Sequence, residues 1–230
     1  MKIIAISNQK GGVGKTTTTV NLAASFVNMK KKVLLIDLDP QGNATSGGGI
    51  NKSQIQHSIY DVLIGDISLN KIILKSEESF FDIAPANQDL AGAEIDLVGI
   101  QDREYMLKNA INALKKSYDY ILIDCPPTLN LLTVNALVAA TAVLIPMQCE
   151  YYALEGLSDL VNTIKRVKKQ LNPKIEIEGL LRTLFDKRNT LAQQVSDELS
   201  SHFGSKVYKT IIPRNVRLAE APSHGKAALF

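Results

Sequence analysis

The chain has 230 residues, enough for one large domain or two small ones, and carries a formal net charge of +3. Hydrophobic residues make up 45% and charged residues 21%, so the composition is that of an ordinary globular protein, and the basic excess alone does not indicate a polyanionic partner. No apolar run approaches the roughly 20 residues that cross a bilayer. The two cysteines, Cys125 and Cys149, lack the spacing of a metal site or disulfide framework. We therefore expect a cytoplasmic protein that does not cross a membrane.

Short apolar runs alternate along the chain with longer helical patterns. The predicted strands are Lys2–Ser7, Val33–Asp37, Phe80–Ala84, Tyr120–Asp124, Ala142–Met147, Ile177–Leu184 and Val207–Ile212. The predicted helices are Lys15–Met29, Arg103–Lys116, Leu131–Ala140, Leu154–Leu171 and Thr190–Phe203. Several strands are almost continuously apolar, which is typical of parallel strands covered on both faces. The pattern predicts one doubly wound α/β domain over residues 1–230, with a mostly parallel central sheet and ligands at the carboxyl ends of its strands.

The first strand leads into a glycine-rich turn and then a helical pattern, the context that a P-loop requires. Glycines leave room for backbone N–H groups to converge on phosphate oxygens, and the helix N-terminus adds partial positive charge. Lys15 can reach the β- and γ-phosphates of ATP, and the Thr16 hydroxyl can bind Mg²⁺. The predicted cradle consists of Gly11, Gly12, Val13, Gly14, Lys15, Thr16 and Thr17.

Two later strands end in carboxylates at the edge where the nucleotide is expected. Asp37 and Asp39 follow the second strand and point the same way by strand alternation. Asp124 closes the apolar strand Tyr120–Asp124, which has the Walker B form, and would hold Mg²⁺ directly or through a water ligand. Asp37 is expected to support the loop or the magnesium shell.

The glycine turn has Gln9 where the ordinary P-loop pattern has glycine, and its form, KGGxGK[ST], is the deviant Walker A motif. With DLDPQGN (37–43), DCPP (124–127), CEYYALEG (149–156) and IPRNVRLAEAPSHGK (212–226), the chain resembles ParA/Soj-type partitioning ATPases. The resemblance implies a dimer that sandwiches ATP, with Lys10 of each subunit contacting phosphate in the other subunit's site. It also implies that Asp39 orients the attacking water, so Lys10, Lys15 and Asp39 are the expected catalytic residues and Thr16, Asp39 and Asp124 the expected magnesium site.

The same resemblance implies further partners. Pro213 and Asn215 are expected to lie against adenine. Arg188 and Arg217 match DNA-binding positions of the Soj branch, with Lys187 and Arg214 beside them. Such charges contact phosphate and read no bases, so nonspecific double-stranded DNA is the expected ligand. Family analogy adds a ParB-type partner that stimulates hydrolysis and a location on the nucleoid.

Three other interpretations remain. A MinD-type positioning ATPase would end in a basic amphipathic helix that binds membranes. The sequence has no such helix after Lys226, but family members typically continue into a final helix there, so a truncated C-terminus or a departure from the family is expected. An iron–sulfur ATP-driven reductase needs interface cysteines, whereas Cys125 and Cys149 are expected to be buried, inert thiols. A non-enzymatic nucleotide-binding module is disfavoured because every motif residue needed for hydrolysis is present.

Overall fold

The computed structural model describes residues 1–229, which form an eight-stranded sheet with helices around it. Every neighbouring pair of strands is parallel except β3 and β4, and the spatial order is β3-β4-β2-β5-β1-β6-β7-β8. The predicted α/β fold with a mostly parallel sheet is confirmed. The strands are β1 (Lys2–Ile6), β2 (Val33–Asp37), β3 (Leu74–Lys75), β4 (Asp82–Ala84), β5 (Tyr120–Asp124), β6 (Ala142–Gln148), β7 (Glu176–Phe185) and β8 (Val207–Pro213).

Helices cover both faces of the sheet and bury two apolar clusters. The smaller cluster joins α1 and α2 to one face, and the larger cluster joins α3, α6, α7, α8 and α9 to the other. Burial of these apolar side chains is the main stabilising contribution. The helices are α1 (Lys15–Asn28), α2 (Asn43–Gly47), α3 (Ile59–Ile64), α4 (Leu69–Ile72), α5 (Ala93–Asp96), α6 (Met106–Asn112), α7 (Leu131–Ala139), α8 (Ala153–Gln170), α9 (Thr190–Phe203) and α10 (Val216–Glu220).

The register of the central strands brings the predicted site residues to one edge. β5 lies between β1 and β2, and Asp124 at its end pairs with Ile6 on β1 and with Asp37 on β2. Because parallel strands end at the same edge, the turn after β1, the loop after β2 and Asp124 lie next to one another. This edge is where ligands bind in doubly wound sheets.

Two predicted elements need correction, while the other boundaries agree within one residue. The strand predicted from Phe80 begins at Asp82, because Phe80 adopts a left-handed turn conformation with φ 62°. The helix predicted over Arg103–Lys116 is a 3₁₀ turn followed by α6, which ends at Asn112. The sequence did not predict β3, α2–α5 or α10, because elements of two to six residues are too short to show a periodicity.

Candidate nucleotide site and basic groove

A cavity of ≈ 460 Å³ lies at the carboxyl edge of the sheet, above the end of β1. Its floor is the glycine turn and the first turn of α1. Its sides are formed by Asp39 and Gln41 after β2, and by Ile212, Pro213, Asn215, Leu218 and Ala219. All predicted cradle residues line this cavity except Val13. The Val13 side chain is buried, and its carbonyl accepts a hydrogen bond from Thr183 Oγ1 at 2.7 Å, which anchors the turn to β7.

The glycine turn depends on backbone conformations that other residues adopt poorly. Gly12 has φ 73° and Gly14 has φ 83°, both in the left-handed region. Within the described residues, and apart from each glycine and its two chain neighbours, no heavy atom lies within 4 Å of the point where a Cβ on Gly11 or Gly12 would stand. Gly14 caps α1, so the free N–H groups of that helix end face the cavity. The turn thus has space and donors for an anion.

Lys15 is a buried cation beneath this turn. Its Nζ donates to the backbone oxygen of Lys10 at 2.9 Å. Burial lowers the pKa of Lys15, and the nearby carboxylate of Asp124 opposes that effect. Because the Lys15 ammonium is largely desolvated, the negative charge of a bound phosphate would stabilise it strongly.

Asp124 lies fully buried under the start of α1. Its Oδ2 accepts from Thr16 Oγ1 at 2.7 Å and its Oδ1 accepts from Thr19 Oγ1 at 2.9 Å. Burial, and then the charge of Asp37, raise the pKa of Asp124 to about 7. A hydroxyl and a carboxylate in contact are hard oxygen donors of the kind that Mg²⁺ prefers. The side chains present therefore fit the predicted ion.

Asp37 anchors the loop that follows β2. Its Oδ2 accepts from the backbone N and the hydroxyl of Thr45, both at 2.7 Å, and its Oδ1 accepts from the backbone N of Asp39 at 3.1 Å. Burial raises the pKa of Asp37 to about 6, although the hydrogen bonds from Thr45 oppose it. Asp37 lies beneath the loop and does not line the cavity, whereas Asp39 does.

Lys10 does not line the nucleotide cavity. Its ammonium forms an ion pair with the carboxylate of Glu150, just before α8 in the same chain. This contact could not be anticipated from the sequence, because the two residues are 140 positions apart.

A second cavity, of ≈ 800 Å³, is lined by three of the predicted DNA-binding residues, Lys187, Arg188 and Arg214, and also by Lys209. We call these residues with Asp186 the basic groove. Arg217 is exposed on α10 and does not line it. Alternation along β8 was the available signal for Lys209, since Lys209, Ile211 and Pro213 share one side of the strand and all line this cavity.

The nucleotide cavity and the basic groove share one wall. Ile212, Pro213 and Asn215 line the nucleotide cavity, whereas Ile211, Pro213 and Arg214 line the basic groove. Pro213 belongs to both. A ligand in the nucleotide cavity and a ligand in the basic groove would therefore be separated by this single segment of the chain.

The two cysteines are free and buried, as expected. Burial raises the pKa of the Cys149 thiol to about 11, so this thiol is unreactive. Across residues 1–229, no helix has both the length and the apolar character needed to cross a membrane.

The fold and the cradle define a P-loop nucleotide-binding protein of the deviant Walker A class. Residues 1–177 match the family model described as an AAA domain. The chain is 58% identical over 229 residues to the sporulation initiation inhibitor protein Soj of Bacillus subtilis, covering 100% of this chain and 90% of that protein. It is 53% identical over 229 residues to the chromosome partitioning protein ParA of Myxococcus xanthus, covering 100% of this chain and 81% of that protein. The chain belongs to the ParA/Soj family of chromosome-partitioning ATPases.

Solved structures show the same architecture. A plasmid partition protein from Borrelia burgdorferi superposes with a TM-score of 0.80 at 32% identity, covering 99% of this chain and 96% of that chain. Cobyrinic acid a,c-diamide synthase from Mycobacterium smegmatis, crystallised with ADP and magnesium, gives a TM-score of 0.88 at 36% identity over 100% of this chain and 94% of that chain.

Proposed function

We propose that the chain is a magnesium-dependent ATPase that closes around ATP as a dimer and binds nonspecific double-stranded DNA in that state. A ParB-type partner would stimulate hydrolysis, which opens the dimer and releases it from DNA on the nucleoid. Membership of the ParA/Soj family supports this proposal. The observation that carries it is the wall shared by the nucleotide cavity and the basic groove.

The cradle is suited to holding a triphosphate. The left-handed glycines and the start of α1 present backbone donors, and Lys15 places a buried cation beneath them. Bound magnesium would neutralise charge that develops on the phosphates, with Thr16 and Asp124 as its protein partners.

Asp39 is suited to placing the attacking water. Its Oδ1 accepts from the backbone N of Gln41 at 3.0 Å, which fixes the carboxylate at the rim of the cavity. Within the described residues, its Oδ2 accepts no hydrogen bond and remains available to a water molecule. The expected role is orientation of that water toward the γ-phosphate.

Dimer formation would complete the site. Lys10 lies at the rim of the cradle with a half-exposed side chain. This side chain can therefore extend away from its own subunit and reach phosphate in a second subunit. There it would neutralise charge in the manner of an arginine finger supplied in trans. Two basic grooves brought together would double the number of phosphate contacts, and DNA affinity would rise steeply.

The substitution Asp39→Ala tests this assignment. The variant is expected to bind ATP, dimerise and remain on DNA, while its turnover falls by at least about 100-fold because the water is no longer oriented. Turnover is measured as phosphate release with DNA present, and dimerisation by sedimentation. Asp159→Asn, which removes an exposed carboxylate on α8, is the matched control. Unchanged turnover in Asp39→Ala would remove the proposed role.

A further inference from the structure

The backbone of Lys10 is held from two sides, so its side chain is the part that can move. Its backbone N donates to Asn8 Oδ1 at 3.0 Å, and its backbone oxygen accepts from Lys15 Nζ at 2.9 Å. Asn8 is itself tied to β6, since its Nδ2 donates to the backbone oxygen of Pro146 at 2.8 Å. The ammonium of Lys10, at the end of a flexible stem, pairs with Glu150.

Glu150 is presented by a fixed turn. Its backbone N donates to the oxygen of Gln148 at 3.0 Å, and its own oxygen accepts from the N of Ala153 at 2.9 Å. The next two residues, Tyr151 and Tyr152, expose 72% and 70% of their surface. Large exposed aromatic residues are typical of a surface that a partner covers. The Lys10–Glu150 pair therefore lies beside a surface suited to a second copy of the chain.

One ammonium cannot serve Glu150 and a second subunit's phosphate at the same time. We propose that Glu150 is a positioning residue that retains Lys10 in its own chain until an ATP-loaded second subunit competes for it. This inference rests on the proposed function, in which Lys10 crosses between subunits. Both side chains of the pair are about four-tenths exposed, at 41% and 45%, so the contact is weak enough to exchange. A triphosphate carries more negative charge than one carboxylate and so wins the competition.

Glu150 sets a threshold for dimerisation under this proposal. Formation of a two-fold symmetric dimer breaks one Lys10–Glu150 pair in each subunit, so the free-energy cost of breaking the pair is incurred twice. Glu150→Gln preserves the shape of the side chain and removes its charge. We expect this variant to tighten the dimer dissociation constant by about three- to tenfold, because each exposed ion pair contributes a small amount.

The experiment measures dimerisation by sedimentation equilibrium with Mg²⁺ and the non-hydrolysable analogue AMPPNP. The variants are Glu150→Gln, Lys10→Ala and the control Asp159→Asn, compared with the unaltered chain. The proposal predicts a tighter dimer for Glu150→Gln, a weaker dimer for Lys10→Ala and no change for the control. A dimer of unchanged or reduced affinity in Glu150→Gln, with Lys10→Ala weakened, overturns the role of Glu150 and leaves the trans contact standing. A Lys10→Ala dimer as tight as that of the unaltered chain instead contradicts the trans contact in the proposed function.

A second measurement separates positioning from a structural role. The rate at which an amine-reactive ester labels Lys10 is followed by mass spectrometry in the nucleotide-free protein. Glu150→Gln is expected to raise that rate at least about twofold, because the paired ammonium becomes free, while the rates at Lys187 and the thermal midpoint stay unchanged. Unchanged labelling of Lys10 would overturn the proposal.

Discussion

The nucleotide cradle and the basic groove differ in whether their charged side chains are buried or exposed. Around the nucleotide cavity, Lys15, Asp37 and Asp124 are buried, and each forms hydrogen bonds with defined partners. In the basic groove the cations lie at the surface, and Arg188 has the one ion pair there that the described residues show, with Asp186. The charged groups around the nucleotide cavity are already desolvated before a ligand binds, so their geometry is fixed in advance. The groove keeps its cations hydrated, so its affinity depends on salt and on how many phosphates are contacted.

The largest expected difference between the regions is in stability. Asp37→Ala removes the acceptor of three hydrogen bonds and leaves the buried donors of Thr45 unpaired. The free energy of unfolding is expected to fall by about 3 kcal/mol. Urea unfolding measures it, with Lys209→Ala in the groove as the comparison, which we expect to change stability by less than about 0.5 kcal/mol. Equal losses of unfolding free energy in the two variants would contradict this difference between the cradle and the groove.

A second prediction concerns pH. Burial raises the folded-state pKa of Asp124 to about 7, from 3.8 as the ordinary value, so the folded state binds a proton that the unfolded chain has lost. The resulting stability is fully present below the unfolded-chain pKa and is lost as pH rises through about 7. Without nucleotide or magnesium, the free energy of unfolding is expected to decrease by about 2 kcal/mol more between pH 5 and pH 8 in the unaltered chain than in Asp124→Asn. Parallel pH profiles for the two proteins would contradict this.

The smallest expected effect is in the groove. Arg188 Nε and Nη2 donate to Asp186 at 3.1 and 2.9 Å, and this contact lowers the pKa of Asp186 to about 2. Asp186→Asn should release Arg188 and raise affinity for DNA about two- to fivefold at low salt, with the gain shrinking as salt increases. Fluorescence anisotropy with labelled duplex DNA measures it. Asp66→Asn, an equal charge change after α3, is the control, and an equal gain there would show a general charge effect only.

The sequence was most informative where the functional residues follow one another along the chain. The cradle could be predicted because a strand, a glycine turn and a helix start follow one another from Lys2 to Thr17. Asp37, Asp39 and Asp124 could be placed because parallel strands end at one edge. The Lys10–Glu150 and Arg188–Asp186 pairs could not be predicted, because side-chain pairing depends on rotamers and on how loops approach each other. Lys209 was missed because the DNA-binding residues were taken from the resemblance and from their immediate neighbours, whereas the groove brings together residues of β8 and of the loops after β7 and β8.

In the proposed function, ATP bound at the buried cradle controls DNA binding at the exposed basic groove. This coupling is tested by measuring oligomer size and duplex DNA binding together, with ATP, with ADP and without nucleotide, at fixed salt. We expect a DNA-bound dimer with ATP and not with ADP or without nucleotide, and an Arg188→Glu variant of the groove that still dimerises with ATP but loses DNA binding. DNA binding of equal strength by the nucleotide-free monomer would contradict the proposed control by ATP.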